Sequence, residues 1–410
     1  MKHSLLLFIF FVFSCHAIAQ SDNNDFWNKE IENSSDIIKP YILSTHPFGI
    51  YISRLNHNFN VRSPDKYFFS FEVSSGNIVL PYVKSYELTD PNDQKTAENL
   101  PWHDREYSFD LNKVPSKIKE FAADGVIRSY RFTFTLPITV HHELNFSLRA
   151  NSLDGGKYPY SIFTSDETIE WFHRNIAGGK DPFSRQYYGL NKAGISYKDE
   201  NGKVLTMNNG NFTIPGIDIN YNYYPKLEMN EKHYIYLNFG AQLGINTSRY
   251  NAVADFGISS SILKKMIIKD KNILSFGASG GILRQHFVEY GDRVNISNQD
   301  FLYSFEGLVH YKIKLKNKNH LSYGINYNFQ TSYFKKKDID HIVLTGERIN
   351  THWQKTISHL YDNLEGWNFI CTYSTRKFSY FVYFREDLNL DNAPDFQTGI
   401  GLKMVIKKKD

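Results

Sequence analysis

Apolar and polar residues alternate along much of this chain, for about ten positions at a time. Between 235 and 245 the odd positions are Ile235, Leu237, Phe239, Ala241, Leu243 and Ile245, and most of those between are Asn, Gln or Gly. A period of two marks a strand with two unlike faces. An ordinary strand runs for about 5–6 residues, whereas a strand crossing a membrane in a barrel needs about 9–11.

About twelve such stretches can be read. The first opens at Tyr67, with Phe69, Phe71 and Val73 on one face and Ser70, Glu72 and Ser74 on the other. The others are 126–136, 140–149, 213–223, 234–246, 251–262, 272–283, 301–313, 319–330, 367–374, 378–387 and 396–406. The gaps between them are long at 75–125, 150–212, 284–300 and 331–366, and short at 137–139, 263–271, 314–318 and 375–377. If the first strand rises from the periplasm, every long gap falls outside, as barrels of the outer membrane arrange them. The predicted fold is all-β: a transmembrane antiparallel up-and-down β-barrel of about twelve strands over 67–406, with long external loops, one carrying a short helix. In lipid every backbone donor and acceptor must pair, so the sheet has to close on itself. The lipid side must also be apolar over the full span, as Leu321, Tyr323, Ile325, Tyr327 and Phe329 are, against Ser322, Gly324, Asn326, Asn328 and Gln330. A soluble sandwich would show shorter strands, with turns every 8–12 residues or so.

Residues 1–19 read as a cleaved secretory signal: Lys2 gives a positive start, 5–13 form an apolar core, and Ala17-Ile18-Ala19 is a small-x-small cleavage site. The rival lipoprotein reading at Cys15 places bulky Phe13 badly. Mature Gln20 to Lys66 is polar and mixed, with one short ordered piece at 46–52, in the barrel mouth or on the periplasmic side. A basic tail, 407–410, ends the sequence. Cys371 is then the one mature cysteine, on the apolar register of its strand beside Phe369 and Tyr373, a small hydrophobe facing lipid. Aromatic residues make up 16%, which suits interfacial girdles. A net charge of +4 gives no footprint for nucleic acid. With a mean hydropathy of −0.45 and no long apolar run after the N-terminus, spanning helices are excluded.

The polar faces would line the lumen. They carry Glu72, Arg131, Glu143, Arg149, Asp218, Asp255, Glu306, His310, Arg385 and Lys403. Such charges set solute preference in an open pore. In a filled one they pair with one another, because unpaired buried charge is costly. Both arrangements remain open at this point. Residues 166–176 read as a short amphipathic helix in the longest external loop, with Ile169, Phe172 and Ile176 on its apolar face and Asp166 and Glu167 in the first turn. Glu170, Trp171 and His173 on this helix are candidates for a constriction over the lumen. A single Glu170-x-x-His173 lacks the second copy that a metal site of this kind needs. No metal or cofactor is expected. Gly277-Ala278-Ser279-Gly280-Gly281 matches the pattern of a nucleophile elbow, but mid-strand rather than on a strand-to-helix turn. His142 and Ser147 share a strand, which keeps a lipid-modifying enzyme as an alternative.

Four pieces in the 150–220 region occur in order: Leu153-Asp154-Gly155, Thr168-Ile169-Glu170-Trp171-Phe172-His173, Gly189-Leu190 and Pro215-Gly216-Ile217-Asp218. Together they resemble a family of uncharacterised Gram-negative outer-membrane barrel proteins, a domain of unknown function. In that family an external loop bears a short helix with an acidic residue and a His, before a strand opening on a Gly-x-Asp step. The family's usual Gly-x-Gly-Asp step is here Pro215-Gly216-Ile217-Asp218. The resemblance implies an outer-membrane barrel and brings no activity and no site residues.

The sequence therefore predicts a non-enzymatic outer-membrane channel or uptake protein for a small solute. The alternatives are a barrel-borne lipid-modifying enzyme and a surface-binding or structural barrel. Expected partners are outer-membrane lipid and lipopolysaccharide, the barrel-insertion machinery and a small solute, with no nucleic acid.

Overall fold

A computed structural model describes residues 37–41, 43–44, 46, 48–85, 92, 118–157, 161, 163–177, 189–268, 272–315, 317, 319–338, 342–343, 360–386 and 396–408. The proposed signal, residues 20–36 and most of the 86–117 and 344–359 stretches lie outside the described residues.

The strands in chain order are β1 (Lys66–Ser85), β2 (Ile118–Pro137), β3 (His142–Asp154), β4 (Gly194–Asp199), β5 (Val204–Asn208), β6 (Phe212–Tyr223), β7 (Ile235–Ser248) and β8 (Asn251–Ile268). They continue with β9 (Asn272–Arg293), β10 (Phe301–Lys314), β11 (His320–Gln330), β12 (Ile342–Val343), β13 (Leu364–Ser374), β14 (Phe378–Glu386) and β15 (Phe396–Lys408). Twelve of them close into an antiparallel barrel. Each stave pairs with its neighbour in the chain, and β1 completes the ring by pairing with both β2 and β15.

All twelve staves fall where the alternation places them. The differences lie at the rim. β1 and β2 each run for 20 residues and β9 for 22, far past the roughly 9–11 that a bilayer demands. Their ends project beyond the other staves on the side of the long connections. There the β4–β5 hairpin adds to β2, and β12 adds to β1. These additions escape a period-two reading because the inward pairs Ile195/Tyr197 and Leu205/Met207 belong to strands of only six and five residues.

The two faces of the wall differ as a lipid boundary requires. Outward residues such as Phe132, Phe146, Phe239, Ile258, Tyr323 and Tyr380 are apolar and substantially exposed. The inward positions between them include many buried Asn, Ser, Gln and charged side chains, with apolar clusters around Leu308 and around Ile370 and Phe381.

The lumen is occupied by the described residues between 37 and 65 of the same chain. One leg rises from the turn end, where Ile37 packs with Phe59, Val61 and Leu308. The chain reverses at the rim through two tight turns, Gly49 N–H to His46 O at 2.9 Å and Tyr51 N–H to Phe48 O at 3.0 Å. A second leg descends to Ser63, whose N–H bonds Val140 O in the β2–β3 turn at 3.1 Å, and leads into β1. Phe48, Ile50 and Tyr51, at the top of this plug, join Phe121, Tyr197 and Phe334 of the rim in an apolar core that seals the long-loop end.

Helix α1 (Asp166–Phe172) is capped by Ser165, whose hydroxyl accepts from Thr168 N–H at 3.3 Å. It lies on the outer face of the barrel. Asn77 donates to Asp166 Oδ1 at 2.8 Å and to Thr164 O at 2.9 Å, and Ser75 bonds Thr164 at 2.5 Å. Ser75 and Asn77 continue the outward register of Phe69, Phe71 and Val73. Phe172 meets the outward ring of Phe396 at 6.2 Å. This corrects the expectation for Glu170, Trp171 and His173: they sit outside the wall and do not constrict the lumen. The physical reason is that the plug already fills the interior, while the apolar side of α1 finds an apolar outer rim. Ile176 also departs from its expected place on the packed face, being 61% exposed.

Candidate functional site

The interface between plug and wall is the richest polar assembly among the described residues. It is built around Asp218, fully buried on β6. Asp218 Oδ2 takes an ion pair from Arg131 on β2 at 3.0 Å and lies 3.4 Å from Nε of Arg149 on β3. Its other oxygen accepts from Ser53 of the plug at 3.0 Å. Arg149 also donates to Asn246 at 2.6 Å and to Ser53 at 3.1 Å, and Asn246 donates to Asp255 at 2.7 Å. Arg131 stacks its guanidinium over the plug's Tyr41 at 3.6 Å. A buried carboxylate between two guanidinium groups satisfies the rule that buried charge must be paired and hydrogen-bonded.

The remaining lumen candidates fall into the same system. Glu72 accepts from Tyr41 N–H at 3.2 Å. Glu306 pairs with the plug's Lys39 at 2.5 Å. Arg385 donates to Leu43 O at 3.3 Å and to Glu365 O at 3.0 Å. Asp255 accepts from His286 N–H at 2.9 Å. Glu143, near the turn end, accepts from Asn145 at 2.6 Å and Tyr224 at 3.1 Å. His310 is buried on β10 opposite Gly324. Lys403 is half-buried, with its ammonium 4.3 Å from the centre of the Phe68 ring. All ten stand on the lumen side of the wall. They do not converge on one centre; Arg131, Arg149, Asp218 and Asp255 share the network around Ser53 and Asn246.

The wall's amides serve the plug's backbone, which has no ladder of its own to satisfy it. Gln242 accepts from Asn56 N–H at 2.9 Å and donates to Arg54 O at 2.8 Å, pairing with the plug as a neighbouring strand would. Asn251 donates to Tyr51 O at 2.9 Å, and Asn151 to Ile50 O at 3.4 Å. Arg54 reaches Gln330 at 3.1 Å. His57 is gripped on both ring nitrogens, Nδ1 by Ser279 at 2.6 Å and Nε2 by Ser304 at 2.8 Å.

Glycines on the lumen face are sockets for plug side chains. A Cβ on Gly244 would stand 1.9 Å from Ser53 Oγ. One on Gly281 would stand 2.1 Å from Leu55 Cδ2, and one on Gly277 2.7 Å from Phe59. Sequence reading missed the plug half of the site, namely Lys39, Tyr41, Ser53, Arg54 and His57. The signal that could have found them is the density of Gly on lumen-facing positions of β7 to β9.

Among the described residues the alternatives for chemistry find no assembled site. His142 faces outward, bonded to Tyr221 at 2.6 Å and stacked on Tyr223, whereas Ser147 is buried on the opposite face of β3 beside Thr133. Ser279 does touch a histidine, but the second His57 nitrogen is held by Ser304 rather than by an orienting carboxylate, and the pair is buried under the plug. Among the described residues no three His, Cys, Asp or Glu side chains converge as metal ligands. Outside the membrane, burial pushes the Tyr197 hydroxyl well above its ordinary range, with Asp199 and Glu200 adding to the shift. It stays protonated and donates to Asn295 O at 2.5 Å, tying β4 to the rim.

No protein-family model matches the chain. No curated protein matches it either. Among solved structures it is similar to an outer-membrane channel of Pseudomonas putida F1, with a TM-score of 0.37 and 10% identity over 83% of this chain and 95% of that one. It is also similar to the β domain of the Bordetella autotransporter BrkA, with a TM-score of 0.34 and 7% identity over 83% of this chain and 100% of that one. A third is CdiB of Acinetobacter baumannii, at 0.31 and 10% over 83% of this chain and 60% of that one. Likenesses this distant say nothing about ligand or activity.

Proposed function

We propose that this protein is an outer-membrane channel for a small polar solute, held closed by its own N-terminal segment. The placement rests on the closed ring of staves and the apolar outer belt, the one sheet arrangement that leaves no unpaired edge in lipid. The resemblance in the 150–220 region agrees with it.

One observation carries the channel reading: between the apolar clusters that grip the two ends of the plug, much of the wall that meets it is polar. Asn246, Gln242, Asn326, Asn328, Asn368 and Ser279 are all buried there, where a permanently solid barrel could pack apolar side chains. Replacing buried polar clusters with well-packed apolar residues is often neutral or stabilising. A polar wall has the further property of staying wettable when the plug moves. Against that stretch the plug sets Ser53, Arg54, Asn56 and His57, which engage it through hydrogen bonds that water can replace one at a time.

The test is conductance in planar bilayers. The full mature chain should hold mostly closed, and a variant lacking residues 37–62 should give stable, ohmic channels. A deletion variant that folds and inserts, as judged by heat-modifiable migration, yet conducts no better than the full chain would overturn the proposal. That outcome would favour a surface-binding barrel, for which the raised rim of β1, β2, β4 and β5 supplies the surface. No enzymatic step is proposed, since His142 and Ser147 point to opposite sides of their strand.

A further inference from the structure

We propose that a trough in the outer face of the barrel holds one acyl chain of an intact bilayer lipid, clamped at one end by α1. The inference rests on the membrane placement of the barrel and not on the channel reading.

Three neighbouring rows of outward side chains define the trough. The middle row is small or β-branched: Val73, Ile400, Val382 and Cys371, successive partners on β1, β15, β14 and β13. The row toward the turn end is bulky, with Phe71, Leu402, Tyr380 and Tyr373 in the same succession. Toward the rim stand Phe384 and Phe369, stacked with centroids 5.8 Å apart, and Phe396, 4.5 Å from Phe384. Rows on one face are two residues apart, roughly 7 Å. The rim row is Ser75 and Thr398 on β1 and β15, where α1 lies over it, and Phe384 and Phe369 on β14 and β13, so the short middle row runs as a channel one chain wide between a bulky row and a rim closed by α1 and these rings. The cavity measures about 870 Å³. That is in the ~300–1,000 Å³ range of sites that enclose a small ligand.

The two ends of the trough differ. At the β1 end Ile169 and Phe172 of α1 lean over the groove, and Trp171 beside them is 57% exposed, an indole at the level expected for an interfacial anchor. At the β11 end the trough runs out between Tyr323 and Ile325, which are 49% and 43% exposed. From β1 to β11 it crosses four strand spacings, roughly 19 Å at about 4.8 Å each. The occupant is settled by what the trough opens onto. It is continuous with the lipid-facing belt, so hydrocarbon fills it, and the tail enters from the β11 side while its head group stays in the bilayer. Because the rows follow the hydrogen-bonding direction of tilted strands, the tail lies oblique to its free neighbours. The clamp and this angle turn a passing lipid into a bound one.

Native mass spectrometry of the mature chain extracted from outer membranes in mild detergent tests the idea. The expected spectrum shows one adduct with the mass of an intact lipid, lost in Val382→Trp, where the indole fills the middle row. An unadorned wild-type mass, an adduct with the mass of a free fatty acid, or equal retention by Val382→Trp would overturn it. A second measurement needs no variant. Wild-type barrel is irradiated in phosphatidylethanolamine vesicles doped with a lipid bearing a diazirine at the tail terminus. Labelling should concentrate on Val73, Ile400, Val382 and Cys371. Labels spread evenly over the outer face, reaching Phe239 and Ile258 equally, would show ordinary solvation and end the proposal. Bilayer conductance is unaffected either way, so this failure and that of the channel reading are separable.

Discussion

Arg131 and Asp218 stand on strands separated by β3, yet they meet in the lumen with 3.0 Å between guanidinium and carboxylate. Asp218 has no solvent exposure, and Arg149 and Ser53 close around it from the wall and the plug. One carboxylate thus holds two staves and the segment that blocks the pore. Asp218→Asn leaves two buried guanidinium groups facing a neutral amide. Breaking a buried pair in this way costs about 3–5 kcal/mol. Urea unfolding in phospholipid vesicles should show that loss, and Arg131→Leu added to Asp218→Asn should recover part of it. An unchanged midpoint for the single variant would mean that the ion pair is not what holds these strands and the plug together.

The glycine sockets give a second prediction. A side chain on Gly244 must displace Ser53, and one on Gly281 must displace Leu55 and also press on Ile258 O of β8, so Gly244→Leu and Gly281→Leu should unseat the plug, Gly244→Leu with the less disturbance of the wall. Gly324 serves as the control, because a Cβ there meets Ile370 at an ordinary 3.6 Å. Cells carrying either leucine variant should take up a large hydrophilic antibiotic more readily than cells carrying Gly324→Ala, and purified protein should open more often in bilayers. Equal uptake by all three would mean that those contacts do not govern closure.

How much of this was legible beforehand differs from element to element. Every stave repeats its two-residue period for about ten positions, which is why their existence and order could be read without a partner in view. The lumen charges were visible for the same reason: Glu72, Arg131 and Asp218 occupy the polar register of strong strands. The plug was not, because its one alternating run, Leu55 to Val61, is too short to mark a stave, and the segment takes its shape from the wall. Ser53 finds Asn246 across 193 residues of sequence, a relation no local pattern encodes. The α1 helix shows the limit from the other side. Its Ile169 and Phe172 said that one face must cover something apolar, but not on which side of the wall that surface would lie.

The outward seat of α1 reverses one expectation. Were the helix a constriction, deleting 160–190 would enlarge the pore. Since it packs on Ser75, Asn77 and Phe396, its removal should leave single-channel conductance at the full-length level, whether the plug is present or not. A clear rise on deleting 160–190 alone would place part of that loop over the lumen after all.

His57 provides the finest test of how the plug is held. It is 2% exposed, with a serine on each ring nitrogen, Ser279 on β9 and Ser304 on β10. Neutral imidazole donates from one nitrogen and accepts at the other, so both bonds form with the ring uncharged, and the two hydroxyls complete the pattern. His57→Ala removes both bonds; Ser279 keeps those to Ser261 and to Ser260 O, while the half-buried Ser304 hydroxyl loses its partner. Leaving a buried polar group without a partner costs about 1–3 kcal/mol. The loss should fall on the plug rather than on the barrel, because the staves keep their ladders. Hydrogen exchange in detergent reads the difference: amides of 53–59 should exchange at least tenfold faster in His57→Ala, while those of β9 and β10 keep wild-type protection. Equal acceleration in the strands would mean that the plug and wall open as one cooperative unit, and a segment so fused could not act as a gate.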